Sequence, residues 1–137
     1  MGRILAIDFG LKRTGLAWSD TMKIVATGLG SFDTASELEP QIKLMFATET
    51  IEKVVLGYPT RLNGEDTHST AAVRLFKEQL EAWFPETPVV FYDERFTSKL
   101  AMEVMVQGGV KKKKRADKQL INQVSATIIL QEYLNQF

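Results

Sequence analysis

The segment Arg3-Ile-Leu-Ala-Ile-Asp8-Phe-Gly10 is a short, unbroken apolar run that stops abruptly at a carboxylate and a glycine. Apolar runs of this length are the pattern of a strand buried on both faces. An acid at the end of such a strand is costly to bury without a partner. Suitable partners are a metal, an arginine or a phosphate-bound magnesium. Gly10 and Gly15 permit a tight turn and close approach of backbone or ligand. A second apolar run, Thr14-Gly-Leu-Ala-Trp18, follows at once. Asp-x-Gly-x-x-x-x-Gly leading into a second strand suggests a hairpin that carries a functional acid. An ordinary turn aspartate fits this motif equally well.

Further apolar runs extend the pattern. Ile4–Asp8, Gly15–Ser19 and about Ile24–Phe32 read as three consecutive strands. Pro40–Ile51 reads as a helix with Ile42, Met45, Phe46 and Thr50 on one face. Lys53–Tyr58 is a second buried-strand pattern, ended by Pro59. His68–Phe84 is helical, with Ala72, Leu75, Phe76, Leu80 and Trp83 on one stripe, and Pro85 stops it. Pro88–Tyr92 is a third buried-strand pattern, followed by Asp93 and Glu94. Thr97–Val106 is a helix capped by Thr97 or Ser98 and ended by Gly108-Gly109. Lys118–Asn135 is the last helix. The order β-β-β-α-β-α-β-α-α predicts an α/β fold: a mixed five-stranded sheet covered by helices. Ligands in open α/β sheets bind at the C-terminal ends of strands, where this chain puts Asp8, Asp93 and Glu94.

With 137 residues, one domain over 1–137 is expected. Absence of cysteine excludes disulfides, thiolate zinc sites and cysteine nucleophiles. Formal net charge is zero, so any nucleic-acid role must come from local patches. No signal-peptide pattern precedes the first strand, and no apolar run approaches the length of a membrane span. The expectation is a cytoplasmic protein with no membrane partner.

Four more segments bear chemistry. Asp93-Glu94-Arg95 ends a strand as Asp8 does. Two carboxylates brought together repel, and a divalent cation removes that penalty. Mg²⁺ prefers one or two carboxylates plus water and phosphate oxygens. Solvated turn acids with Arg95 as an ion-pair partner are the plainer account. Gly57-Tyr-Pro59 with Asn63-Gly64 forms either a rigid connector or a substrate-facing loop. His68 reads as a surface or capping residue. Lys111, Lys112, Lys113, Lys114 and Arg115 suit phosphate contact, although such runs are commonly solvated loops. Asn122, Ser125 and Ala126 share one helix face. Small Ser125 and Ala126 let that helix approach the sheet, which would aim Asn122 where Asp8 and Glu94 converge; plain helix packing with Asn122 at the surface is the simpler account.

Taken in order, Ala6-Ile-Asp8-Phe-Gly10 with Gly15, Gly57-Tyr-Pro59 with Asn63-Gly64, Asp93-Glu-Arg95-Phe-Thr97, Gly108-Gly109 and Ser125-Ala-Thr-Ile-Ile-Leu130 resemble the YqgF family. These are Holliday-junction-resolvase-like proteins described as pre-16S rRNA nucleases. The resemblance implies a ribonuclease-H-like fold and metal-dependent phosphodiester hydrolysis at the 5′ end of precursor small-subunit ribosomal RNA. It implies catalytic positions at Asp8, Glu94 and Asn122, and Mg²⁺ or Mn²⁺ held by Asp8 and Glu94. Arg95 and Lys111 to Arg115 would bind nucleic acid. The implied partners are precursor ribosomal RNA or branched nucleic acid, acted on by a monomer or homodimer. One departure stands out: the family's third acid is here Asn122, which offers a neutral carbonyl oxygen and no charge. The alternatives are a branched-DNA nuclease and a nucleic-acid-binding protein that cleaves weakly for want of that acid. A sugar-kinase-like nucleotide binder would need a second lobe, for which 137 residues leave no room.

Overall fold

Buried apolar runs set the frame. In the computed structural model, which describes residues 2–58, 70–93 and 118–136, with side chains of the last segment from Gln123 onward, five strands form one sheet. They are β1 (Arg3–Asp8), β2 (Arg13–Ser19), β3 (Ala26–Asp33), β4 (Ile51–Tyr58) and β5 (Val89–Asp93). Helices α1 (Leu38–Thr48), α2 (Thr70–Trp83) and α3 (Lys118–Leu134) complete the described elements. The strand order is β3-β2-β1-β4-β5. β1–β2 and β2–β3 are antiparallel, while β1–β4 and β4–β5 are parallel. The mixed five-stranded sheet expected from the sequence is therefore present. The expected helix Thr97–Val106 lies outside the described residues.

The central strands are covered on both sides because their side chains alternate. Leu5, Ile7, Leu16, Val54 and Leu56 pack against Leu38, Ile42, Met45, Val73, Phe76 and Leu80 of α1 and α2. Ile4, Ala6, Ala17 and Val55 pack on the other face against Ala126, Ile129, Leu130 and Tyr133 of α3. The small side chains Ala6, Ala17 and Ala126 let α3 settle onto the sheet. It lies close at Gly28, where an added Cβ would lie 2.9 Å from Gln123 and Thr127. Gln131 fixes the far end: its side chain accepts from the Ala26 amide and donates to the Ile24 carbonyl.

Several boundaries differ from the sequence reading. α1 ends at Thr48, not Ile51; Thr50 lies outside it and Ile51 opens β4. Ile51 pairs with Arg3, and the ladder with β1 outweighs one more helical turn. β3 begins at Ala26, not Ile24, because Asp20 governs the preceding turn. Its Oδ1 accepts the amides of Ile24 and Val25 at 2.8 and 2.9 Å, and Lys23 takes φ 59°. Those hydrogen bonds hold the Asp20 carboxyl below its ordinary pKa. Leu75, which periodicity puts on the buried stripe of α2, is 63% exposed. The stripe runs instead through Thr70, Val73, Phe76 and Leu80. The composition of β5 predicts a strand buried on both faces, yet its residues are half-buried to exposed. It is the terminal strand of the described sheet and gains cover from one neighbour only.

Candidate active site

Asp8 ends β1, and strand alternation decides which way it faces. Ile4 and Ala6 lie under α3, whereas Leu5 and Ile7 lie under α1 and α2. Phe9 continues the second set, stacking on Phe76 of α2 with ring centroids 4.6 Å apart. Asp8 is thereby assigned to the α3 face.

A cross-strand row surrounds it. Asp8 pairs with Gly15, and Gly15 pairs with Ser31. On the other side the parallel ladder ends at Ile7 opposite Leu56, so the next position on β4 is Gly57, which pairs with Tyr92. The row thus reads Ser31, Gly15, Asp8, Gly57, Tyr92. The acid stands between two residues without side chains. Both glycines are buried, whereas Asp8 is half-buried. Gly15 lies within a strand, not a turn, so its contribution is the missing side chain beside Asp8.

The turn after Asp8 is held tightly. A Cβ at Gly10 would fall 2.2 Å from the Arg13 carbonyl oxygen, so only glycine fits. Thr34 donates to the Gly10 carbonyl at 2.7 Å, its amide donates to Lys12, and its hydroxyl lies 2.8 Å from that of buried Thr14. This link from β3 back to the β1–β2 turn fixes the strand end that carries Asp8. The Thr14–Thr34 pair was not anticipated, because 20 residues separate its members.

Tyr92, at the far end of the row, donates to Glu132 of α3 at 2.6 Å. Burial, then this bond and the Glu132 charge, push the Tyr92 phenol up to about 12. The hydrogen bond confirms that Tyr92 and α3 share a face. Asp93 pairs with Tyr58 at the end of β5. Among the described residues, the hydroxyls of Ser31 and Ser125 are buried without a hydrogen-bond partner.

Of the residues anticipated as functional, Asp8 stands at a strand end on the α3 face. Asn122 belongs to α3, one turn before Ala126. α3 runs antiparallel to β1 and β3, since Gln131 meets Ala26 while Gln123 meets Gly28. Four helical residues rise about 6 Å, and Ala6 to Asp8 spans about 6.6 Å along β1. Ala126 packs in the same cluster as Ala6, so position 122 lies at about the level of Asp8. Glu94, Arg95, Lys111, Lys112, Lys113, Lys114 and Arg115 lie outside the described residues, as do His68 and Asn63-Gly64. Among the described residues no three metal-ligating side chains cluster.

Such an arrangement, a mixed sheet whose first strand delivers a carboxylate beneath a helix, is that of the resolvase-type nucleases. The family model of the RuvX Holliday junction resolvases matches residues 2–136. A protein of Christiangramia forsetii is 45% identical over 134 residues, covering 98% of each chain. One of Bacteroides thetaiotaomicron is 46% identical over 134 residues, covering 98% of this chain and 96% of the relative. Both carry the description "Putative pre-16S rRNA nuclease". Among solved structures, the fowlpox virus Holliday junction resolvase superposes with a TM-score of 0.59 at 13% identity, covering 98% of this chain and 99% of that one. Thermus thermophilus RuvC in complex with a Holliday junction gives 0.56 at 15% identity, covering 99% and 95%. The chain belongs to the RuvX Holliday-junction-resolvase family, as its sequence resemblance implied. It is a nuclease, an enzyme that hydrolyses phosphodiester bonds. No helix among the described residues is long and apolar enough to cross a membrane.

Proposed function

We propose that this nuclease trims precursor 16S ribosomal RNA at its 5′ end, in the cytoplasm, with a divalent cation held at Asp8. The observation that carries the cation is the cross-strand row. Asp8 is a half-buried carboxylate at a strand end, and the glycines on either side of it in the row leave space there for a hydrated Mg²⁺ or Mn²⁺. Glu94 is the second carboxylate of this reading. Asn122 is the third position of this reading, a neutral residue in place of an acid. When bound, the cation lowers the pKa of water and stabilises the leaving oxygen. Asp8 orients it, and Phe9 and the Thr14–Thr34 link keep Asp8 in place. Arg95 and the run Lys111 to Arg115 supply sequence-independent phosphate contacts.

The RNA substrate rests on the curated relatives, and a four-way DNA junction is the alternative that the family description suggests. Cleavage of precursor ribosomal RNA and of a four-way junction, each with Mn²⁺ and with chelator, tests the reading. Trimming of the RNA only with metal is expected. Junction resolution without RNA trimming would reverse the substrate assignment, and cleavage in chelator would remove the cation.

A further inference from the structure

The turn between β1 and β2 holds an apolar side chain in water beside the candidate site. Leu11, three positions after Asp8, is 61% exposed. Leu44 and Leu75 are exposed too, but each belongs to a helix, where leucine is favoured for its propensity. A turn gives leucine no such reason, since turns favour Gly, Pro, Asn, Asp and Ser. Met22, Ile24 and Val25 are exposed in the β2–β3 turn, at the other end of the sheet from Asp8. The turn that carries Leu11 is clamped. Thr34 donates its hydroxyl to the Gly10 carbonyl at 2.7 Å and its amide to the Lys12 carbonyl at 2.9 Å, so both neighbours of Leu11 are held. Gly10 packs too tightly on Arg13 to admit a Cβ, and Phe9 is stacked on Phe76. Lys12 is exposed, and no acid pairs with it among the described residues. Arg13, next along, stands across the ladder from the acid Asp33, which leaves Lys12 as the cation of the tip.

We infer that Leu11 and Lys12 form a substrate-opening tip: Leu11 wedges against a base next to the cleaved bond, and Lys12 meets the adjoining phosphate. The inference rests on the nuclease reading centred on Asp8 and extends it to how the substrate is opened there. Three residues of chain reach at most about 10 Å, so a strand bound at Asp8 passes the tip within about three base steps of ~3.4 Å. Apolar side chains, leucine among them, enter base steps and unstack them. Unstacking costs least where a duplex gives way to an unpaired strand, which makes such a boundary the place for the wedge. A wedge also needs a rigid mount. A loose loop would lose conformational freedom on insertion, whereas a turn already fixed at Gly10 and Lys12 loses little. A protein partner would cover Leu11 as well, but it would not need the tip to stand beside Asp8 or to carry an unpaired cation.

Cleavage of a precursor ribosomal RNA fragment by the parent with Mn²⁺, or of a four-way junction should the parent cut only that, locates the cut. 2-Aminopurine, which brightens when it unstacks, is then placed in turn at the positions within about three base steps of it. Bound in chelator, so that nothing is cut, the parent should brighten the label at one or more of these positions. Leu11→Ser should abolish the brightening and weaken binding about tenfold. Leu11→Met keeps apolar bulk and should restore both. Lys12→Gln should lower the slope of log K against log salt by about 0.7 to 0.9. Both residues are exposed, so thermal melts of these variants should match the parent. Asp8→Asn is the control for the site and should lose cleavage while keeping the brightening. A parent that neither binds nor cuts either nucleic acid would sink the nuclease reading and the tip with it. A parent that cuts, with Leu11→Ser binding and brightening as the parent does, would overturn the tip alone, as would an unchanged salt slope in Lys12→Gln.

Discussion

Asp8 on β1 and Gly15 on β2 are direct partners in an antiparallel ladder, so the residue opposite the carboxylate carries no side chain. Asp8→Asn should therefore lower cleavage by about a hundredfold or more while leaving the fold intact. Its stability in chelator should stay within about 0.5 kcal/mol of the parent. A large loss of stability would make Asp8 a structural acceptor. Cleavage rate and a urea melt on the same preparation measure both.

Position 122 of α3 lies at about the level of Asp8 along the sheet. Asn122→Asp should destabilise the metal-free protein, because carboxylates repel. With Mn²⁺ the sign should reverse, with tighter metal binding and faster cleavage, because the cation neutralises the added charge. Thermal melts with chelator and with Mn²⁺ read this directly. Equal shifts in the two would separate Asn122 from the metal site.

Gly28 marks a close approach of α3 to the sheet. Gly28→Ala puts a methyl 2.9 Å from Gln123 and Thr127, and should cost about 1–3 kcal/mol by overpacking. The lower part of that range applies if Gln123 swings aside. A denaturant midpoint unchanged from the parent would show that α3 shifts freely.

Two buried serines should respond oppositely to alanine. The Ser19 hydroxyl accepts from the Ile4 amide at 2.9 Å and donates to the Asp20 carbonyl at 2.8 Å. Ser19→Ala leaves a buried amide unpaired and should cost about 1–3 kcal/mol. The Ser125 hydroxyl is buried with no partner, so Ser125→Ala should be neutral or stabilising. Chemical melts of both variants compare the two directly.

Tyr92 sets an alkaline limit. Its phenol is pushed from 10.0 up to about 12, chiefly by burial and then by Glu132. A folded-state pKa above the unfolded one gives stability that is complete below pH 10. That stability is lost as pH rises from 10 through 12, because the unfolded chain ionises first. Tyr92→Phe should flatten this part of the profile. An identical fall in stability in parent and variant between those pH values would assign the effect elsewhere.

How much of this was legible beforehand follows from the range of each interaction. β1 and β4 were readable because a strand covered on both faces must be apolar at every position, and Ile4 to Ile7 and Val54 to Leu56 are. Asp8 was readable because a carboxylate ending such a run stands out. Gly10 was readable as a turn residue, since the clash it avoids is with Arg13, three residues away. Ser125 and Ala126 were readable as the close-packing face of α3 because small residues one apart on a helix leave one local hollow. Register, edges and cover were not. Ser31, Gly15, Asp8, Gly57 and Tyr92 form one row only because five strands pair in a particular order. β5 reads as a buried strand by composition, and its terminal place in the described sheet leaves Phe91 open. Leu75 belongs to a helical stripe by periodicity alone, and the sheet beneath α2 chose Val73 in its place. The sequence by itself determined which segments bury and where an acid ends a strand, because those follow from neighbours along the chain. Tertiary structure decided which residues stand beside that acid, because pairing across strands joins positions that no local preference connects.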